Sequence, residues 1–371
     1  MSQGHDAYAA AGVDYGAVDP GKLLAQRTAL DTAGVLAGRG LAEVGASRGE
    51  SAYAVDLGDR YLTMVTEALG TKNLVADAMR GVIGQTSYDL IARDTVATIL
   101  NDLATLGGFP VALTAYWASG RSEWFEDRER MAALVSGWGA ACKEARCAWG
   151  GGETQVLTGM IDPNTVILGG SAVGSIAPRS NLLLGSRVRA GDEIVIAPST
   201  GIHANGLTLA RKLAGQLARG YETPVPGDSR GRCYGEVLLD PSPLYGGLVE
   251  AIQGAGIELH YTAHITGHGW RKLMRADQPL TYVIDRVPEV PPVLQLIVET
   301  ARMGLEEAYG TFNMGGGYAF FVAEGQAARV VELARGLGRS VERAGTVEAG
   351  PRRVVLQPLG VTYESQSLAI R

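Results

Sequence analysis

Apolar residues along this chain recur with two periods. Short runs that alternate or cluster predict strands, and runs spaced three to four apart predict helices. Ala52–Leu57 and Tyr61–Thr66 read as strands joined by Gly58-Asp59-Arg60, a hairpin signal. A helical stretch then runs to about Arg80, and Ile91–Leu106 places Val96, Ile99, Leu100, Leu103 and Leu106 at helical spacing. Val111–Trp117 reads as a strand, Arg121–Arg146 as one long helix and Thr165–Ile176 as a long strand. Ahead of these, Asp19-Pro20 starts a helix to about Thr32, followed by a loop punctuated by Gly34, Gly38, Gly40 and Gly45.

Arg179-Ser180-Asn181 reads as a domain junction, after which the alternation resumes. The second half is expected to hold strand Glu193–Ala197, helix Leu207–Leu217 and a polar excursion over Gly220–Gly231. A helix from Asp240-Pro241 to about Gln253, strand Ile257–Tyr261 and a small-residue turn Ala263–Gly269 into another helix come next. Strand Leu280–Ile284, helix Pro291–Tyr309, strand Tyr318–Val322, helix Gln326–Leu337 and a terminal strand or two complete it. Helices and strands alternate in both halves, so the fold class is α/β or α+β. The expected organisation is an N-terminal arm with a glycine-rich loop over 1–50, a first domain over 51–178 and a second over 179–371.

A chain of 371 residues exceeds one typical core, which agrees with two domains. The formal charge of −6 and the lack of a long basic run argue against nucleic acid as a main partner. No apolar stretch is long enough to span a bilayer and no secretory signal is visible, so the expectation is a cytoplasmic protein without a membrane partner. Cys142, Cys147 and Cys233 have no metal-ligand spacing and read as buried small residues.

Candidate chemistry concentrates at small-residue turns. Pro198–Leu207 joins a strand to a helix through Ser199, Thr200, Gly201, Asn205 and Gly206, which leaves backbone N–H groups free for an anion. His203 lies inside it and titrates near neutrality; a polar turn with a surface histidine is the competing explanation. Asp94, Thr98, Asn101 and Asp102 fall roughly on one helix face, which suits either Mg²⁺ or plain solvation. Thr66–Lys72 offers a carboxylate and an ammonium across a tight turn, and Gly150-Gly151-Gly152 presents Glu153 at a strand end. His264 and His268 have a zinc-like spacing, but the glycines around them disfavour helix geometry and zinc with it. There is no Walker A sequence and no Gly-x-Gly-x-x-Gly between a strand and a helix.

Taken in order, these stretches resemble the aminoimidazole ribonucleotide synthetase family, the cyclo-ligases of purine synthesis. The resemblance rests on Tyr8 with Ala11-Gly12-Val13-Asp14, Gly70-Thr71-Lys72, Asn101-Asp102-Leu103 and Gly151-Gly152-Glu153-Thr154. It continues through Ser199–Gly206, Ala263-His264-Ile265-Thr266-Gly267 and Thr311-Phe312-Asn313-Met314-Gly315, and so covers nearly the whole chain. A wider superfamily of ATP-using proteins includes selenophosphate synthetase, thiamine-phosphate kinase and a hydrogenase maturation protein.

The resemblance implies a two-domain fold in a homodimer, with N-terminal-domain strands of both subunits forming a barrel and ATP bound between domains and across the dimer. It implies phosphoryl activation of the formyl oxygen of formylglycinamidine ribonucleotide, a phosphorylated small molecule, followed by ring closure. Glu67, Asp94 and Asp102 are expected to hold Mg²⁺; that much also follows from carboxylate chemistry. On the resemblance, Gly70, Thr71, Lys72, Asn101, Thr200, Gly201, Asn205 and Asn313 bind ATP or its phosphates, and His264 shapes the cleft. His203, Glu153 and Lys72 are the candidate catalytic residues.

The chain departs from the family where Glu67-Ala68-Leu69 replaces Asp-Gly-Val, where Thr114-Ala115-Tyr116 replaces Leu-Asp-Tyr, and near Val156, where an acidic residue is expected. These departures keep two alternatives open: a paralogue that phosphorylates another amide or small molecule, and a catalytically silent scaffold.

Overall fold

The computed structural model describes Gly12 and residues 15–368. Each half of the chain is built on one mixed sheet. The first contains β1 (Ala42–Glu43), β2 (Tyr53–Asp56), β3 (Tyr61–Ala68), β4 (Phe109–Ser119), β5 (Ala148–Val156) and β6 (Val166–Ile176), in the order β1-β2-β3-β6-β4-β5. Its helices are α1 (Tyr15–Asp31), α2 (Asn73–Ile83), α3 (Tyr88–Ala104) and α4 (Arg128–Glu144). Strand residues alternate between faces. Val65, Leu113, Leu168 and Ala172 are buried in one core with Ile91, Ile99 and Leu103 of α3. Their neighbours Met64, Ile167 and Val173 stand exposed on the opposite face, and Val111, at a register irregularity of β4, is exposed as well.

The second sheet contains β7 (Glu193–Pro198), β8 (Leu259–His264), β9 (Leu280–Ile284), β10 (Gly316–Val322), β11 (Glu342–Ala349), β12 (Arg353–Leu356) and β13 (Val361–Glu364). Their order is β13-β12-β9-β11-β7-β10-β8. Helices α5 (Leu207–Ala214), α6 (Tyr234–Leu238), α7 (Gly246–Gly254), α8 (Pro292–Ala301), α9 (Leu305–Thr311) and α10 (Ala327–Gly336) accompany it. Every position of β10 is buried, since apolar clusters lie against both faces; hence the unbroken run Tyr318–Val322. Among the described residues no helix is long and apolar enough to cross a membrane.

Three expected helices differ. Arg121–Arg146 breaks at Asp127, whose carboxylate accepts from Arg130 N–H and starts α4 afresh. Pro291–Tyr309 divides at Arg302, which adopts a left-handed backbone and ends α8. Asp240–Tyr245 is not helical, and α7 begins only at Gly246. Pro241 and Pro243 push the residues before them toward extended conformations. The freed backbone groups of this strap are taken by α3, across the boundary between halves. Ser242 N–H donates to Asp94, Tyr245 N–H donates to Asn101, and Asn101 donates to the Pro243 carbonyl.

Candidate active site

Five segments converge on a polar cavity of about 180 Å³. Glu67 ends β3 on the face shared with Thr63 and Val65, so it is aimed at α3. Thr98 and Asp102 are one turn apart on α3 and line the same cavity. Ala204 and Asn205 come from the loop before α5, and Glu50 and Ser51 from the segment before β2. Thr266, Lys272 and Arg275 complete the lining; the last two lie on a 3-10 helix, Gly269–Ala276.

Asp102 Oδ1 lies 2.6 Å from His264 Nδ1, at the end of β8. Burial opposes ionisation of Asp102, but the His264 hydrogen bond and the charges of Lys272 and Arg275 win, and its pKa is lowered. Glu67 moves the other way, to about 7, because it is buried and faces the Asp102 charge. Lys272 is pushed down to about 8 by burial and by Arg275, with Asp102 and Glu67 pulling against them. Its ammonium donates to the Thr266 hydroxyl, while Arg275 donates to Ser51 Oγ at 2.7 Å.

The loop Ser199–Gly206 is latched from both sides. Asn313 Nδ2 donates to the Gly201 carbonyl, its Oδ1 accepts from Ser199 Oγ, and Thr200 Oγ1 donates to the Pro241 carbonyl. Gly206 is required where it stands: φ is +84°, and a β-carbon there would overlap the Phe312 ring.

Several residues singled out from the sequence are elsewhere than expected. Lys72 and Asp94 do not reach the cavity. They form an ion pair of 2.6 Å with neither side chain exposed, and the remaining bonds of both go to the 240–245 strap. The like spacing of Asp94, Thr98 and Asp102 on α3 therefore serves two purposes, the strap for Asp94 and the cavity for Thr98 and Asp102. Among the described residues no group of three or more His, Cys, Asp or Glu side chains is placed to hold a metal ion; of the expected magnesium set, Glu67 and Asp102 line the polar cavity and Asp94 does not. The amides of Asn101 and Asn313 are spent on backbone groups, so both hold loops in place. Thr200 N–H, expected to face a phosphate, donates instead to His203 Nε2 at 3.2 Å.

His203 is buried, with φ of +59°, and its pKa is lowered well below the usual value by burial, His264 and Lys72. Desolvation thus favours the neutral ring, which does not line the cavity. Glu153 pairs in register with Tyr116 and, with Thr114 and Ser171, borders an adjoining cavity of about 780 Å³ that shares Glu67 and Ala68 with the polar one. Gly70 takes a left-handed turn before Lys72, and Asn205 alone of the expected phosphate ligands borders the polar cavity. Tyr8, Ala11, Val13 and Asp14 lie outside the described residues. Lys272, Arg275, Glu50 and Ser51 were not anticipated. The three-residue spacing of Lys272 and Arg275 behind a glycine turn was the available signal.

Comparison with known proteins agrees with this architecture. Residues 49–176 match the family described as AIR synthase related protein, N-terminal domain, and residues 189–357 match its C-terminal domain. The chain is 35% identical over 284 residues to the phosphoribosylformylglycinamidine cyclo-ligase of Methanocaldococcus jannaschii, covering 76% of this chain and 77% of that protein. The enzyme of the same name from Carboxydothermus hydrogenoformans is 31% identical over 94% of this chain and 98% of its own length. The hydrogenase maturation protein HypE, solved in complex with ATP, shares the fold with a TM-score of 0.57 at 21% identity, over 81% of this chain and 83% of that one.

Proposed function

The chain belongs to the AIR synthase related family, and from that membership we propose that it is an ATP-dependent cyclo-ligase of purine biosynthesis, converting formylglycinamidine ribonucleotide to aminoimidazole ribonucleotide. The observation that carries this reading is the single polar cavity in which carboxylates of the first half, Glu67 and Asp102, meet cations and a loop amide of the second, Lys272, Arg275 and Asn205. A silent scaffold has no use for such a convergence of buried charge, which is costly to fold.

The γ-phosphoryl group of ATP passes to the formyl oxygen, which turns a poor leaving group into phosphate. The amidine nitrogen then attacks the formyl carbon, the carbon–oxygen bond breaks, inorganic phosphate departs and the nitrogen gives up a proton. Phosphoryl transfer needs positioning and charge stabilisation more than covalent help from the protein. Glu67 and Asp102 fit a magnesium ion, because Mg²⁺ is held by one or two carboxylates plus substrate phosphates and both carboxylates line the one cavity. Held there, magnesium would supply positive charge to offset that of the phosphates. His264 fixes the Asp102 carboxylate through Nδ1. The latched loop presents Asn205 and closes one wall against water.

A fold neighbour solved with ATP supports nucleotide binding. The exposed apolar face of the first sheet, with Glu153 at the cavity on it, supports a homodimer closed through that face. Cytoplasmic residence accords with a soluble biosynthetic role. Glu67, one methylene longer than the aspartate of the family pattern, favours as second reading a paralogue acting on another amide. ADP release measured with and without formylglycinamidine ribonucleotide separates the two. Stimulation by it, with aminoimidazole ribonucleotide formed, is expected. ATP consumption that ignores this substrate would overturn the cyclo-ligase reading.

A further inference from the structure

Lys272 and Arg275 line the same cavity as Glu67 and Asp102. In a 3-10 helix, residues three apart eclipse, so the Gly269–Ala276 turn brings both cations to one side. The same period buries Trp270, Leu273 and Ala276 behind them, which anchors the turn. Lys272 is 7% exposed, yet its hydrogen bond goes to a neutral hydroxyl, that of Thr266, and no carboxylate among the described residues makes an ion pair with it. Burying an ammonium whose hydrogen bond goes to a hydroxyl is costly even with Asp102 and Glu67 in the same cavity, and an arriving anion reduces that cost. At about 180 Å³ the cavity is too small for a nucleoside and has room for one tetrahedral oxyanion.

We propose that Lys272 and Arg275 form the receptor for the phosphoryl group in flight, holding it between ATP and the formyl oxygen and then holding the inorganic phosphate that leaves. The assignment rests on the cyclo-ligase reading. Two phosphates exist in that reaction, and the carboxylates of the same cavity decide between them. The ester phosphate of the ribonucleotide carries no metal, so at this position it would face Glu67, Asp102 and Glu50 with like charge. For the transferred group, Glu67 and Asp102 would hold a magnesium ion while Lys272 and Arg275 offset the remaining charge, the arrangement by which phosphoryl transfer is stabilised. In the step, the bond from γ-phosphorus to the bridging oxygen breaks and its electron pair leaves with ADP. A new phosphorus–oxygen bond forms to the formyl oxygen, and the two cations bind the non-bridging oxygens throughout.

The test is calorimetric titration of the full-length protein with inorganic phosphate in the presence of MgADP, and separately with ribose 5-phosphate. Lys272→Met and Arg275→Gln are each expected to weaken phosphate binding tenfold or more, to leave MgADP affinity within twofold, and to leave ribose 5-phosphate binding unchanged. Lys272→Arg should restore part of the phosphate affinity. Single-turnover ring closure should fall about 10²–10³-fold in Lys272→Met, the scale of losing one charge-stabilising donor. Unchanged phosphate affinity in both variants overturns the assignment. So does selective loss of ribose 5-phosphate binding, which would make the pair a reader of the ester phosphate. Because the phosphate titration uses no amide substrate, it stands or falls separately from the choice of formylglycinamidine ribonucleotide. Lys272→Met removes a buried charge and keeps the volume, and circular dichroism of each variant checks that the fold persists.

Discussion

Lys72 and Asp94 sit 2.6 Å apart in full burial, held by the Asp240 carbonyl on one side and the Ser242 N–H and hydroxyl on the other. Taking one partner away strands a charge in the interior. Lys72→Met is therefore expected to cost about 3–5 kcal/mol in urea unfolding, and adding Asp94→Leu should return most of that loss. His203 belongs to the same neighbourhood. Its Nε2 accepts from Thr200 N–H, so in the neutral ring the proton is on Nδ1. His203→Ala leaves that N–H without a partner and is expected to lower stability by roughly 1–3 kcal/mol, with turnover per folded enzyme within a few-fold of wild type. A loss of about 10²–10⁴-fold in turnover at unchanged stability would instead return the ring to proton transfer.

Among the elements, edge strand β8 is clipped to the turn before β7 by His260, whose ring bonds Asp192 at 2.8 Å and Glu258 at 2.9 Å, with Arg189 also on Glu258. The Asp192 bond raises the His260 pKa, burial opposes it, and Glu258 adds to the rise; His260 in turn lowers the Glu258 pKa. The histidine contribution is complete below its unfolded value of about 6.5 and is lost as pH rises through the folded one. The Glu258 contribution is present above about 4.3 and lost on acidification. The melting-temperature gap between wild type and His260→Gln should accordingly shrink as pH rises above 6.5, and a constant gap would mean the imidazole is uncharged.

The long α3 and the alternating strands β3 and β6 were legible in the sequence, because each repeats its period often enough to be counted. The 3-10 turn was not: over eight residues a period of 3.0 passes for 3.6, and so the stretch after Gly269 read as an ordinary helix. Nor did the sequence say that the partner of Lys72 lies 168 residues away in the strap. The side-chain types around Asp94 suggested a metal because nothing local showed that a backbone from the other half would take their place.

For the whole molecule, the open face of the first sheet presents Met64, Ile167 and Val173 to solvent. Light scattering at micromolar concentration is expected to give twice the chain mass, and Ile167→Lys with Val173→Glu should give the single mass with unaltered circular dichroism. A wild-type monomer with full activity would rule out closure through this face. The strap at 240–245 has a different kind of consequence. Lys72 and Asn101 take the carbonyls of Asp240 and Pro243, and Asp94 and Asn101 take the N–H groups of Ser242 and Tyr245. All four are main-chain atoms. The joint between the halves thus works as a ruler, counting residues along the strap with little regard for which residues they are. Ser242→Ala should be tolerated at about 1 kcal/mol, the loss of one hydroxyl bond. One glycine inserted between Ser242 and Pro243 shifts the later pair of grips by a whole residue, about 3.3–3.6 Å of chain, and should cost far more in urea unfolding than any single substitution there.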